Sequence, residues 1–407
     1  MVAQYELKML FKPLLTALLI IVVLFLVVSY LFSIPLGLTL FFLTPQGIDV
    51  NRLYLIELPI PLFIDVDFSI PVAINAGLLF LFLLSVYTLC FVGALMSRES
   101  FHGVIRKGFS RPFSQLFNNN LFAMPIITGM LFVSFITIHV FLGVPTGPGP
   151  FEPSEDPLQP FKNFFAVTYS PLVEEIGFRV IPMGIFLVVY LFVVGRERVV
   201  ALSGRELLKV LFLTPLYPDK AKELLGIRTV RELGVRSISL AEWIVIVLSS
   251  VAFGLVHIGD GWEAGKSISV TIDGLAFGLA YLLYGVQAPI LLHWFFNYYI
   301  SGHGAYSLAL DFYPIVSPIF LLIYLGTLIL GLLGWIMLTT LPCVWLYRRR
   351  KDVALSQLQS FPHPSHAVPT PPPIFRFCRR CDRSLPEAVM FCPYCGKTCE
   401  EEMEEET

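Results

Sequence analysis

The stretch Val173-Glu174-Glu175-Ile176-Gly177-Phe178-Arg179 places two adjacent carboxylates and a guanidinium inside an otherwise apolar run. Each ionisable group at the centre of a membrane helix costs about 2.5 to 3.5 kcal/mol on insertion scales, so it needs a partner or a task. Glu175 and Arg179 stand four residues apart and share one helical face, where they can neutralise each other. Glu174 points roughly 100° away from that face and is left without a partner on its own helix. It is the candidate general base.

Two further clusters interrupt apolar runs. Phe253-Gly254-Leu255-Val256-His257 ends one, and His293-Trp294-Phe295-Phe296-Asn297 lies in another, with His293 and Asn297 one turn apart on a common face. A single histidine on an apolar helix usually belongs to the packing; three polar clusters on three spans point elsewhere. Carboxylate, imidazole and amide converging in a wet cavity are what amide-bond hydrolysis requires: a base to activate water and donors to hold the oxyanion. Asn75 and Asn119, near span ends, and His139, within the third span, need no functional reading, and Asp273 is a group that could line the cavity.

The elements that must position these groups are membrane helices. Of 407 residues 56% are hydrophobic and 14% charged, with mean hydropathy +0.75, whereas a soluble domain carries about 25% charged residues. The net charge of −2 gives no reason to name nucleic acid as a partner; membrane lipid is the partner that composition names. Apolar runs near 14–36, 71–96, 121–143, 163–194, 242–258, 267–286, 289–303 and 315–345 predict an all-α polytopic protein of about eight transmembrane helices. The first, preceded by Lys8 and Lys12, is too long for a signal-peptide core and lacks a small-residue cleavage site, so it reads as a retained span.

Charge sets the expected orientation. Arg98, Arg106, Lys107 and Arg111 follow the second span, nine Lys or Arg fall in 195–240, and Arg348, Arg349, Arg350 and Lys351 follow the last. Asp49, Glu57, Asp65 and Asp67, then Glu152, Glu155 and Asp156, occupy the alternate loops. The positive-inside rule puts both termini of this integral membrane protein in the cytoplasm.

The expected organisation is N-terminal helices and loops over 1–120, a core over 121–305 with a helical cytoplasmic insertion at 195–240, and a last helix at 306–350. A Pro-rich linker follows at 351–374, then a zinc ribbon at 375–399 and an acidic tail at 400–407. In the ribbon, Cys378-x2-Cys381 and Cys392-x2-Cys395 have the spacing of a tetrahedral site, Gly396 allows a tight turn, and Cys399 is spare. A reducing cytoplasm disfavours disulfides, and so short a segment depends on structural zinc for its folding. Such a ribbon can recruit a protein partner, contact nucleic acid through Arg376, Arg379, Arg380 and Arg383, for which the support is weak, or merely organise the tail.

EExxxR, FxxxH and HxxxN in this order on successive spans resemble the CAAX protease and bacteriocin-processing family of intramembrane endopeptidases, particularly its type II CAAX prenyl endopeptidases. The resemblance extends over about residues 120–305 and includes FGLVHI, DGLAFGLAYLLYG and APILLHWFFNYY. It implies that Glu174 activates the attacking water, that Glu175 and Arg179 form a supporting pair, and that His257, His293 and Asn297 complete the site. His293 and Asn297 would then stabilise the oxyanion. It also implies a prenylated protein or a membrane-associated peptide as substrate.

Glu174, His257 and His293 are also ligand types for a catalytic zinc; HxxxN is not HExxH, and the reading leans towards a metal-free site. Two rivals predict no cleavage: an immunity or scaffold protein that only binds a peptide, and a transporter with a regulatory zinc ribbon. The spans as counted set Glu174 and His257 towards one membrane face and His293 towards the other, so broken or tilted helices must reconcile them. Pro171, Pro182 and Pro289 are the expected breaks.

Overall fold

A computed structural model describes residues 2–62, 66–96, 99–110, 113–147, 149, 154–259 and 261–359. In the tail it describes 375–378, 381, 383–386, 392 and 394–395. The Pro-rich segment 361–374, Cys399 and the acidic tail 400–407 lie outside the described residues. The chain divides into two compact units, Met1–Thr340 and Leu341–Thr407.

The first unit opens with α1 (Val2–Leu43) and α2 (Pro45–Asn51), followed by a hairpin of β1 (Tyr54–Leu62) and β2 (Val66–Asn75). Then come α3 (Ala76–Leu95), α4 (Phe101–Lys107), α5 (Asn120–Ile136), α6 (Gln159–Glu175) and α7 (Pro182–Val194). The insertion holds α8 (Arg196–Ala201), α9 (Gly204–Leu216), α10 (Pro218–Leu224) and α11 (Val230–Leu233). After it run α12 (Leu240–Gly259), α13 (Ala264–Tyr284), α14 (Gln287–Tyr299), α15 (Ala305–Phe312) and α16 (Ser317–Gln359).

Seven stretches among the described residues are long and apolar enough to cross a membrane: Pro13–Leu43, Ala76–Leu95, Asn120–Phe141, Gln159–Val194, Leu240–Gly259, Ala264–Tyr284 and Pro314–Thr340. The segment expected as the seventh of eight spans is α14, whose 13 residues rise only about 20 Å. It survives at that length because it does not face lipid. Nearly all its side chains are buried, with Phe295 stacked on Tyr30 of α1 at 3.9 Å and Trp294 on Tyr87 of α3 at 4.7 Å. Gly285, at φ +96°, makes the turn into α14, and a Cβ there would meet the Leu216 carbonyl at 2.8 Å.

Residues 71–75, expected as the start of the second span, are β2 instead, and helix α3 begins only at Ala76 behind an Asn75 cap. Pro59, Pro61 and Pro71 bar a helix interior, and Tyr54–Leu62 and Val66–Asn75 pair antiparallel with Leu58 opposite Ile70. The hairpin is an addition to the expected all-α fold. It packs on the bundle through Pro59, whose carbonyl accepts from the Tyr169 hydroxyl at 2.7 Å. Pro61 crosses Gly177 so closely that a Cβ there would lie 1.8 Å from its carbonyl oxygen.

Helix α16 runs antiparallel to α1: Tyr306 meets the Phe320 ring edge-on and donates to the Ser29 carbonyl, while Gly326 lies beside Val22 and Leu26. The bundle is therefore entered by α1 and left by α16 at the same end. The 195–240 segment is helical as expected, and it is tied to the bundle by a buried ion pair between Lys222 and Glu242. Asp219 caps α11 by accepting from the Val230 and Arg231 amides at 2.6 and 3.1 Å. Asn119 caps α5, and His139 bonds the Val144 carbonyl and Ser269, so both hold structure.

In the second unit α16 continues to Gln359, so the first part of the expected linker is helical. Further on, β3 (Phe375–Phe377) pairs antiparallel with β4 (Ser384–Pro386), and Leu385 is buried together with Cys378 and Cys392.

Candidate active site

Glu174 and Glu175 stand where α6 gives way to a π-helical turn, Ile176–Val180, which carries Arg179 before α7 begins at Pro182. Gln159–Val194 is thus one span of 36 residues, about 54 Å at 1.5 Å per residue, and the carboxylates lie near its middle. That length reconciles the depths of the clusters. Two prolines free carbonyls along it, because each lacks the N–H that would bond four residues back. Pro182 leaves the Phe178 carbonyl to the Ser249 hydroxyl of α12, and Pro171 leaves the Val167 carbonyl to the Asn297 amide of α14 at 3.5 Å. Pro289 sits in the first turn of α14, where no such bond is lost.

The pair expected on one face is formed: Arg179 Nη1 lies 3.2 Å from Glu175 Oε1, and both side chains are fully buried. The guanidinium stands 4.3 Å over the Phe253 ring and reaches the Gly274 carbonyl at 3.5 Å. Phe253 in turn meets the rings of His257 and His293 edge-on at 5.1 and 5.8 Å. The Phe of FxxxH is thus the spacer that separates cation from imidazoles.

Glu174 differs from its expected isolation. Its Oε2 lies 3.7 Å from His293 Nε2, while His293 Nδ1 lies 3.0 Å from Glu175 Oε1. His293 therefore stands between the two carboxylates. His257 bonds the Phe253 carbonyl through Nδ1 at 2.8 Å, which leaves Nε2 for other partners. Asn297 donates to Ser170 Oγ at 3.1 Å. Ser170, one turn before Glu174, was not singled out from the sequence; its spacing of four residues from Glu174 was the available signal.

Glu174, His257, His293, Asn297 and Ser170 line one cavity of about 640 Å³. Glu175 and Arg179 lie behind its wall, and Asp273, buried on α13, does not line it. The rim adds Lys162, Trp262, Lys266 and His303, none of which the sequence reading named. Lys162 is paired with Asp156 at 2.7 Å, and that hydrogen bond holds the Asp156 carboxyl below its usual range. Burial lowers the His303 imidazole below its usual range. Lys266 lies over the rings of Trp262 and Phe135 at 5.1 and 5.4 Å.

Among the described residues, the His, Cys, Asp and Glu side chains whose ligand atoms converge are Cys378, Cys381, Cys392 and Cys395, all within 4.8 Å of one another. Glu174, His257 and His293 do not form such a group. Cys378 and Cys395 sulfurs stand 3.6 Å apart and those of Cys381 and Cys392 3.7 Å. Four sulfurs at 2.3 Å around one zinc would stand about 3.8 Å apart, so the four close cysteines fit a metal ion.

A helical membrane bundle thus carries a polar cavity lined by a carboxylate, two imidazoles and an amide. Residues 157–299 match the family model described as type II CAAX prenyl endopeptidase Rce1-like, which supports an enzyme of the CAAX protease type. The matched segment contains all three polar clusters and the insertion. No curated protein and no solved structure matches the chain.

Proposed function

We propose that this protein is an intramembrane endopeptidase that hydrolyses a peptide bond of a membrane-associated or prenylated substrate through water activated by Glu174. The observation that carries the reading is the approach of Glu174 to His293 within a polar cavity inside an apolar bundle. Glu174 takes a proton from water as the hydroxide attacks the peptide carbonyl. It then returns that proton to the departing amine as the C–N bond breaks.

The oxyanion needs donors. His293 stands between the two carboxylates, with Nδ1 towards Glu175 and Nε2 towards Glu174 and the cavity, where an Nε2–H can donate to the developing charge. Arg179 pairs with Glu175, and Glu175 in turn holds His293 in place through Nδ1. Asn297 keeps one N–H on Ser170, and its long 3.5 Å contact to Val167 is the one a substrate oxygen displaces. His257 presents its free nitrogen to the same cavity. Lys266 supplies a cation at the rim for an anionic group of the substrate, such as a terminal carboxylate.

The reading is metal-free, supported by the ligand atoms of Glu174, His257 and His293, which do not converge on one point. Zinc belongs in the tail, where Cys378, Cys381, Cys392 and Cys395 would hold it and give a segment with almost no core its fold. Both termini are taken as cytoplasmic, from the charge pattern and from α1 and α16 meeting one face of the bundle.

The test is incubation of detergent-purified protein and its Glu174→Ala variant with prenylated and unmodified peptides, with and without a chelator, followed by mass spectrometry. Cleavage lost in the variant and kept with chelator is expected. Absence of cleavage by the wild type across the panel would return the chain to a binding or transport role, and chelator-sensitive cleavage would overturn the metal-free reading.

A further inference from the structure

We infer that the catalytic cavity opens on the non-cytoplasmic face, so that its substrate is an exported peptide or the outward-facing tail of a membrane protein. The inference deepens the peptidase reading and rests on it for the identity of the substrate, but the sidedness itself does not depend on activity.

The cavity mouth lies at one end of the bundle. Its rim is built from the first turn of α6 (Gln159 and Lys162), from Trp262 in the turn between α12 and α13, and from Ser301–His303 beyond α14. The insertion lies at the other end, since it joins the close of α7 to the start of α12. There it contacts the opposite ends of the same helices: Val286 donates to the Leu216 carbonyl at 2.8 Å and Tyr281 to the Pro215 carbonyl at 2.7 Å. The loop after α3 belongs to that end too, because Tyr284 donates to the Phe117 carbonyl at 2.6 Å and Asn119 to the carbonyls of Ala94 and Glu99.

The cations divide along the same line. The insertion holds nine Lys or Arg and the loop after α3 holds Arg98, Arg106, Lys107 and Arg111, whereas the loops 44–75, 142–158 and 300–316 hold Arg52 alone and the helix ends at the mouth add only Lys162 and Lys266. Short loops rich in Lys and Arg stay in the cytoplasm. The end carrying the insertion is therefore inside, and the mouth outside. A tail prenylated in the cytoplasm would meet the closed end of this bundle. A chain that has already crossed the membrane, released there or still anchored, meets the open one; the reaction that supplies the substrate is thus an export step.

Two glycines serve as reporters, since a side chain added at either meets no atom within 4 Å: Gly302 at the mouth and Gly204 at the start of α9. Gly302→Cys and Gly204→Cys variants of the full chain are produced in cells, and intact cells are treated with a membrane-impermeant maleimide. Labelled sites are mapped by mass spectrometry, which separates the reporters from the native cysteines. We expect label at position 302 and none at 204 until the cells are opened. Label at 204 from outside, or none at 302, overturns the inference.

A second arm adds peptide to sealed right-side-out and inverted vesicles. Cleavage in the right-side-out vesicles alone supports the outward mouth, and cleavage in the inverted ones alone overturns it. If the peptidase reading fails, no cleavage occurs even in detergent, while the labelling result still decides the sidedness.

Discussion

Replacing Arg179 by methionine removes the positive member of an ion pair whose side chains are both fully buried. Methionine keeps much of the packing against Phe253 and Phe277, so the main loss is the charge. Breaking a buried pair by removing one partner costs about 3 to 5 kcal/mol, because the remaining charge stays desolvated. Glu175→Gln leaves the guanidinium exposed to the same penalty. The double variant carries neither charge, so its destabilisation is expected to fall short of the sum of the singles by about 2 kcal/mol or more, within the range for residues sharing one network. Unfolding by sodium dodecyl sulfate in mixed micelles, followed by tryptophan fluorescence, measures all four corners of the cycle. Single variants within about 1 kcal/mol of wild type, or a double variant that loses the full sum, would refute the pair as the element that braces Glu175.

Further outcomes follow from other contacts. Ser170→Ala removes the acceptor of Asn297, a bond worth about 0.5 to 1.5 kcal/mol; kcat should fall up to about tenfold with KM little changed, and Ser170→Thr should restore it. Gly177→Val forces a side chain onto the Pro61 carbonyl, and overpacking of this kind costs about 1 to 3 kcal/mol, read as a lower unfolding midpoint and faster proteolysis of the hairpin. Full-length protein should carry one zinc per chain by elemental analysis and lose it in Cys392→Ser/Cys395→Ser; equal metal in both would remove the ribbon from the account.

The clusters were legible because each broke an apolar run, and because a spacing of four residues survives even a π-helical turn: Glu175 meets Arg179, and Asn297 lies a turn beyond His293. The Cys378–Cys395 spacing was legible for the same reason, since local sequence sets the reach of both knuckles. What the sequence hid was tertiary. Glu174 meets His293, which arrives from α14, and no spacing within 157–194 could disclose that contact. Lys162, Lys266 and His303 lie at helix ends, where charge is ordinary, and only the shared cavity sets them apart. The hairpin at 54–75 was read as loop and helix because its apolar residues match a short span in composition; the prolines at 59, 61 and 71 were the contrary signal. The short segment α14 was counted as a span because hydropathy cannot distinguish a helix facing lipid from one enclosed by protein.

The central claim is that Glu174 activates water and does not itself attack the substrate. Cleavage of a peptide by excess enzyme in H2¹⁸O, limited to a single turnover, tests it most directly. The account predicts ¹⁸O in the new carboxylate of the product after the first turnover, and loss of about 10² to 10⁴ in rate for Glu174→Gln. Unlabelled oxygen in that first product, delivered from a carboxylate of the enzyme, would contradict it.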